Sequence, residues 1–79
     1  MAPNENYYET ADLGLAASLI TSNIRLEKIN KSNPNRVTFL FEDSVTTQNN
    51  IKDFWNKDLF VPALTLLENI RLLKARIYG

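Results

Sequence analysis

Apolar residues spaced three or four positions apart identify the first regular element of the chain. Within residues 11–21 the apolar side chains recur at the period of an α-helix, which gives the segment one apolar face. Thr10 stands where a helix N-cap is expected, because its hydroxyl oxygen can accept a hydrogen bond from an amide of the first turn. Ser22 and Asn23 are predicted to end this helix.

Two later segments alternate apolar and polar residues, which is the period of a β-strand. Residues 24–30 and 36–42 show this alternation. Ile29 breaks it in the first segment, so a bulge or the end of the strand is expected near Lys28. Residues 31–35 between the two segments are rich in turn-forming side chains. The pattern predicts an antiparallel β-hairpin.

Helical periodicity returns in the C-terminal half of the chain. A helix is predicted over residues 45–56, with its N-cap at Asp43 or Ser44. A longer helix is predicted over residues 62–78, with Pro62 in the first turn, where its missing N–H does no harm. The predicted apolar stripe of this last helix consists of Leu66, Leu67, Ile70, Leu73 and Ile77.

These segments, with a short extended piece at residues 7–9, give the element order (short β)-α-β-β-α-α. A two-stranded hairpin is only marginally stable alone, so helices must cover the apolar face that carries Phe39 and Phe41. The sequence thus predicts a small α+β fold in which three helices cover one face of an antiparallel β-hairpin. Residues 1–6 are predicted to be a flexible N-terminus and residues 7–79 a single domain.

The composition restricts the chemistry that the chain can perform. Its 79 residues include neither cysteine nor histidine, which removes disulfides, thiol nucleophiles and the most common general base and zinc ligands. Glu42 or Asp43 could form a carboxylate site with Asp53, but the turn into the following helix explains Asp43 better. We therefore expect no catalytic residues, no metal site and no cofactor, and the chain is not expected to be an enzyme.

The sequence also carries no sign of a membrane or secretory segment. Its apolar runs are far shorter than the ~20 residues that a membrane span needs. Residues 1–6 lack the basic and apolar regions of a signal peptide. The expected location is the cytoplasm, and no membrane partner is expected.

Charge is balanced overall but unevenly distributed. Nine basic and nine acidic residues give a formal net charge of zero, while segment 24–36 and the last helix are basic. If the hairpin turn lies beside the end of that helix, the cations form a patch suited to phosphates. The candidate nucleic-acid contacts are Arg25, Lys28, Lys31, Arg36, Arg71, Lys74 and Arg76. The acidic segments 1–12 and 42–58 would repel a phosphate backbone, so a solvated surface is the simpler interpretation.

Apolar side chains that do not fit the predicted core indicate a protein-binding surface. The candidate interface residues are Leu40, Trp55, Leu64, Leu72 and Tyr78. A homodimer would bury these residues or extend the sheet at an edge, and a monomer with scattered exposed leucines is the alternative. Phe39 and Phe41 faintly resemble a base-stacking pair, but they share the inward face with Val37 and are assigned to the core.

Five segments together resemble a small family of uncharacterised prokaryotic and phage-associated proteins, a domain of unknown function. They are residues 8–17 (YETADLGLAA), 30–37 (NKSNPNRV), 39–43 (FLFED), 54–56 (FWN) and 72–78 (LLKARIY). The resemblance spans nearly the whole chain and implies no activity and no catalytic residues; it adds the expectation of a gene on a phage or mobile element. The sequence departs from the family pattern at Lys57, where glycine is expected, which leaves that loop conformation open.

The function expected from these observations is that of a small non-catalytic binding or regulatory module. It would act through a protein–protein surface, with a protein partner or a second copy of itself. A nucleic-acid-binding module that uses the seven cations is the alternative.

Overall fold

The computed structural model describes residues 6–78 and places three strands and three helices in that range. In chain order they are β1 (Tyr7–Thr10), α1 (Leu13–Thr21), β2 (Leu26–Asn30), β3 (Thr38–Glu42), α2 (Val45–Trp55) and α3 (Ala63–Tyr78). This confirms the predicted α+β class and element order. The predicted flexible N-terminus falls outside the described residues except for Asn6, whose carbonyl accepts a hydrogen bond from the Asp43 amide at 3.2 Å.

The predicted hairpin is part of a three-stranded antiparallel sheet with the strand order β1-β3-β2. The short N-terminal strand β1 pairs with the free edge of β3, placing Tyr8 opposite Phe41. The register between β2 and β3 shifts between Leu26 and Lys28, which confirms the irregularity expected near Lys28. The central strand β3 is therefore paired on both sides.

In the described part of the chain, the helices pack on one face of the sheet. Phe39 and Phe41 point to that face and are 1% and 0% exposed, so their assignment to the core is confirmed. Directly opposed residues of an antiparallel pair share a face, so Tyr8 and Leu26 lie on the same side as Phe41. Leu40 stands between Phe39 and Phe41 in β3 and lies on the opposite face, because successive side chains of a strand alternate.

Helix α1 forms the centre of the helical layer. Residues 15–19 are buried without interruption, so the helix is enclosed on all sides rather than along one stripe. It packs against α2, α3 and β1. One hydrophobic core joins all three helices to the sheet, and its buried residues are Leu15, Ala16, Ala17, Leu19, Ile24, Phe39, Phe41, Ile51 and Leu73.

The start of α1 differs from the prediction. Asp12, not Thr10, is the N-cap, and its Oδ1 accepts a hydrogen bond from the Leu15 amide at 2.9 Å. Thr10 is already paired with Phe39 as the last residue of β1, so the helix begins two residues later. The Thr10 hydroxyl still contributes, because it accepts a hydrogen bond from the Asp12 amide at 3.0 Å.

Helix α2 begins as predicted at a Ser44 N-cap, whose Oγ accepts a hydrogen bond from the Thr47 amide at 3.1 Å. Its buried residues are Thr47 and Ile51, whereas Val45 is 78% exposed. The Thr47 hydroxyl donates to the carbonyl oxygen of Glu42 at 2.8 Å. A polar residue therefore anchors α2 to the end of β3. The few apolar residues of α2 gave no indication of this contact.

Helix α3 is held to the core by a single fully buried residue, Leu73. Leu66, Ile70 and Ile77 are half-buried beside it, as predicted. Leu67 was expected in the same stripe but is 49% exposed. Pro62 lies just before the helix, and its carbonyl accepts a hydrogen bond from the Leu66 amide.

Candidate functional site

The main candidate surface is the side of α3 that faces away from the core. Leu64 and Leu73 are nine residues apart, which is about two and a half helical turns, so they point in opposite directions. Leu64 is 67% exposed while Leu73 is buried. The outer face of α3, as used below, consists of Leu64, Leu67, Glu68, Arg71, Leu72, Ala75 and Tyr78, all of them exposed.

A further large apolar side chain is exposed three residues before α3 begins. Phe60 is 89% exposed and lies in the segment that joins α2 to α3. Leu72, at 51% exposure, lies on one flank of the outer face, and Leu67 lies on the other. Most helices in a small domain hide their apolar side chains, so such a density of exposed ones on one element is unusual.

The predicted interface residues divide among three places. Leu64, Leu72 and Tyr78 all lie on the outer face of α3. Trp55 lies at the end of α2, 58% exposed, with its ring in an edge contact with Phe54 at a centroid distance of 4.9 Å. Leu40 is half-buried on the sheet face opposite the helices. Leu40 therefore belongs to a different surface from the α3 residues.

Sequence reasoning missed two exposed apolar residues, Phe60 and Leu67. Successive residues of a helix are rotated by about 100°, so Leu66 and Leu67 cannot both point to the centre of one contact. That rotation was a usable signal for Leu67. Phe60 lies in a non-helical segment, where no periodicity indicates which side chains face the solvent.

The structure brings the hairpin turn beside the end of α3. The sequence predicted a basic patch if these two segments were neighbours. The Lys31 ammonium donates a hydrogen bond to the main-chain carbonyl of Arg76 in the last turn of α3. Lys28, Lys31 and Arg76 line one open depression of about 320 Å³, together with Glu27. A cation at a helix C-terminus also satisfies a free carbonyl and the helix dipole, so Lys31 has a structural role here.

The other four predicted cations do not line this depression themselves. Arg25 is paired with Glu27, with its Nε 3.4 Å from a carboxylate oxygen. Arg36 lines a second depression, of about 310 Å³, beside the half-buried Val37 and the end of α3. Arg71 and Lys74 are exposed on α3, and Lys74 is rotated by about 200° from Arg76 around the helix axis. The structure thus places three of the seven cations around one depression and Arg36 at another.

Of the carboxylates considered for a metal or acid–base site, that of Asp43 makes a structural hydrogen bond. The Asp43 side chain accepts a hydrogen bond from the Gln48 amide nitrogen at 2.8 Å. At Glu42 the main-chain carbonyl, not the carboxylate, accepts the Thr47 hydroxyl. Within residues 6–78 no group of three or more acidic side chains is placed to hold a metal ion.

A model of one protein family matches residues 5–79, almost the entire chain. The chain belongs to the DUF5659 family. DUF5659 is described as a domain of unknown function, so the expected resemblance to such a domain is confirmed at that level. No curated protein and no solved structure gives a significant match to this DUF5659 chain.

Membership in DUF5659 assigns no ligand and no activity to the outer face of α3. The structure adds one physical fact about the environment: over residues 6–78, no helix of this DUF5659 chain combines the length and the apolar character needed to cross a membrane. Any function has to be argued from the exposed surfaces themselves.

Proposed function

We propose that this DUF5659 chain is a small non-catalytic binding module that docks a protein partner on the outer face of α3. The observation that carries the proposal is that α3 has many apolar side chains but buries few of them. Its 16 residues include apolar side chains on all sides, yet only Leu73 is fully buried. A helix that is apolar all round is normally covered on both sides.

The energy available from this surface is adequate for specific binding. Full burial of one leucine or phenylalanine side chain contributes about 1.5–3 kcal/mol. Leu64, Leu67 and Leu72 of this face are 67%, 49% and 51% exposed, so much of that energy is unused in the isolated chain. Arg71 lies between apolar residues on this face and can direct the orientation of a partner.

Site-specific crosslinking in cells tests the proposal. A photo-crosslinking amino acid replaces Leu67 on the outer face, and in a matched control it replaces Lys52, which is exposed on α2. We expect a protein adduct from position 67 and none from position 52. Adding Leu64→Glu should remove the adduct, because a buried carboxylate without a partner opposes docking.

Two results would contradict the proposal. Equal protein adducts from positions 52 and 67 would mean that the outer face of α3 has no special affinity. Adducts with nucleic acid alone would favour the second candidate function. Circular dichroism of each variant establishes that the fold is retained.

Nucleic-acid binding is the second candidate, and the observation in its favour is the convergence of Lys28, Lys31 and Arg76 on one depression. Affinity for nucleic acid should then fall steeply with salt, since bound phosphates release counterions. The double variant Lys28→Glu and Arg76→Glu should abolish it, because both cations line that depression. On the protein-binding proposal, Leu72→Glu weakens binding more than this double reversal does.

The cellular setting remains a prediction. We propose a cytoplasmic protein encoded by a phage or mobile element; the sequence resemblance supports the phage or mobile-element origin. Fractionation of cells that express the chain would test the location.

A further inference from the structure

The outer face of α3 contains a seam with the spacing of a helix-pairing element. Its residues are Leu64, Glu68, Arg71 and Ala75. The intervals of four, three and four residues keep them in one line along the helix, as in the repeats through which two helices pack. Leu67 and Leu72 lie on the two flanks of this seam, 49% and 51% exposed.

The order of charges in the seam is complementary to itself. In an antiparallel pair of identical α3 helices, a two-fold axis places Glu68 of each copy opposite Arg71 of the other. The same axis places the large Leu64 opposite the small Ala75, which lets the two helices approach closely. A parallel pair would instead oppose Glu68 to Glu68 and Arg71 to Arg71, which is repulsive.

Both charged groups are available for such a pair. Residues 6–78 contain one ion pair, between Arg25 and Glu27. Neither Glu68 nor Arg71 is therefore paired with an opposite charge among the described residues. Both are exposed. Their side chains can therefore meet a second molecule without breaking an internal ion pair.

The sheet edges are less suited to self-association than α3. The strand β1 has four residues, and β2 carries a register shift in its first half. Short and irregular edge strands are features that oppose edge-to-edge pairing. Dimer formation through the sheet, which the sequence left open, is accordingly disfavoured against pairing through α3.

We propose that the partner of the outer face of α3 is a second copy of this chain, packed as an antiparallel α3–α3 pair. This inference rests on the proposed function, because it names the partner of the same surface. Association also compensates for a small core that contains no disulfide or histidine- or cysteine-bound metal.

Sedimentation of the purified full chain over a range of concentrations tests the pair. We expect a shift from 9.1 kDa toward twice that mass as concentration rises. Glu68→Arg and Arg71→Glu should each raise the dimer Kd at least tenfold, because each opposes like charges across the seam. Lys52→Glu reverses one exposed charge on α2 and should leave the Kd unchanged.

Mixing the two charge variants gives the most specific result. A chain with Glu68→Arg presents two positive groups, and a chain with Arg71→Glu presents two negative ones. An equimolar mixture should therefore form a heterodimer although each variant alone is monomeric, and the double variant should dimerise again. Recovery of the dimer in the mixture would show that neither variant is monomeric because it has unfolded. Circular dichroism of each variant checks the fold directly.

Three outcomes overturn the proposal: a wild-type chain that stays monomeric at its solubility limit, single variants that still dimerise, or a mixture that stays monomeric. These outcomes are distinguishable from failure of the proposed function. If position 67 crosslinks to a different protein while the pure chain is monomeric, the docking surface stands and the second copy is not its partner.

Discussion

At the scale of single residues, two residues with a positive backbone angle φ mark the ends of α1 and α2. Asn23 and Lys57 have φ values of 67° and 64°, in the left-handed region. Each follows the C-cap of a helix; after α2, the Lys57 amide bonds to the Phe54 carbonyl and the Asp58 amide to the Asp53 carbonyl. This hydrogen-bond pattern is the Schellman motif, whose left-handed position strongly favours glycine.

Lys57→Gly is therefore predicted to stabilise the chain. The left-handed conformation costs a residue with a Cβ roughly 1–2 kcal/mol, and glycine avoids this cost. Part of the gain is lost because glycine has a larger conformational entropy in the unfolded state. We expect a net gain of about 0.5–1 kcal/mol, measured by urea unfolding. Lys57→Ala removes the same charge but keeps the Cβ, so it should show no comparable gain; equal effects of the two variants would contradict the explanation.

The glycine expected at position 57 from the family resemblance has the same physical basis. The residue is lysine in this chain, yet the backbone still adopts the conformation for which glycine is suited. The loop conformation that the sequence left open is therefore the usual one: α2 ends in a Schellman motif, and Lys57 adopts the left-handed conformation in place of glycine.

At the scale of elements, the least predictable contact is the one that holds α2. Thr47 is 1% exposed, and its hydroxyl donates to the Glu42 carbonyl at the end of β3. The short connection of Asp43 and Ser44 brings these groups together. The helix is therefore positioned by a buried hydrogen bond and by Ile51, rather than by a wide apolar stripe.

Thr47→Val should destabilise the chain because it removes this bond while keeping a similar volume. A lost buried hydrogen bond that leaves its acceptor without a donor costs about 1–3 kcal/mol. Thr46→Val makes the same change at an exposed neighbour and should have an effect below about 0.5 kcal/mol. Chemical unfolding of both variants measures the difference, and matching midpoints would refute the role given to Thr47.

At the scale of the whole molecule, stability depends on a core shared by every helix and the sheet. Leu73 is the single fully buried residue of α3, so the attachment of the longest helix depends heavily on it. Asn69 adds a polar link, since its amide donates to the Thr21 hydroxyl of α1 at 2.9 Å. The remaining contacts of α3 involve half-buried side chains.

Leu73→Ala is predicted to lower the free energy of unfolding by roughly 2–5 kcal/mol, the range for a fully buried leucine. This is a large part of the stability of a small domain. Leu72→Ala, one residue earlier and 51% exposed, should cost the monomer much less. Thermal unfolding at low protein concentration compares the two, and a similar loss for both would contradict the burial assignment.

Much of the fold could be predicted because local patterns are strong in this chain. The alternation that ends in Phe39 and Phe41 and the turn residues between the strands determine the hairpin. Positions that depend on distant pairing could not be predicted in the same way. Thr10 was expected to cap α1, but its pairing with Phe39 assigns it to β1 and moves the cap to Asp12.

For the candidate site, Leu64, Leu72 and Tyr78 were predicted as surface residues, and the structure places them on one helix. Phe60 was missed because its exposure depends on how the α2–α3 connection is folded. The proximity of Lys31 to Arg76 joins residues 45 positions apart, a contact that periodicity does not report.

The helices and strands, their order and the side-chain chemistry that the sequence lacks all follow from the order of the amino acids, because they depend on neighbouring residues and on composition. The tertiary structure decided that β1 becomes the third strand, that α1 is enclosed, and that α3 leaves one side uncovered. Those features depend on contacts between residues far apart in the chain. The outer face of α3, on which the proposed function rests, is defined by such contacts alone.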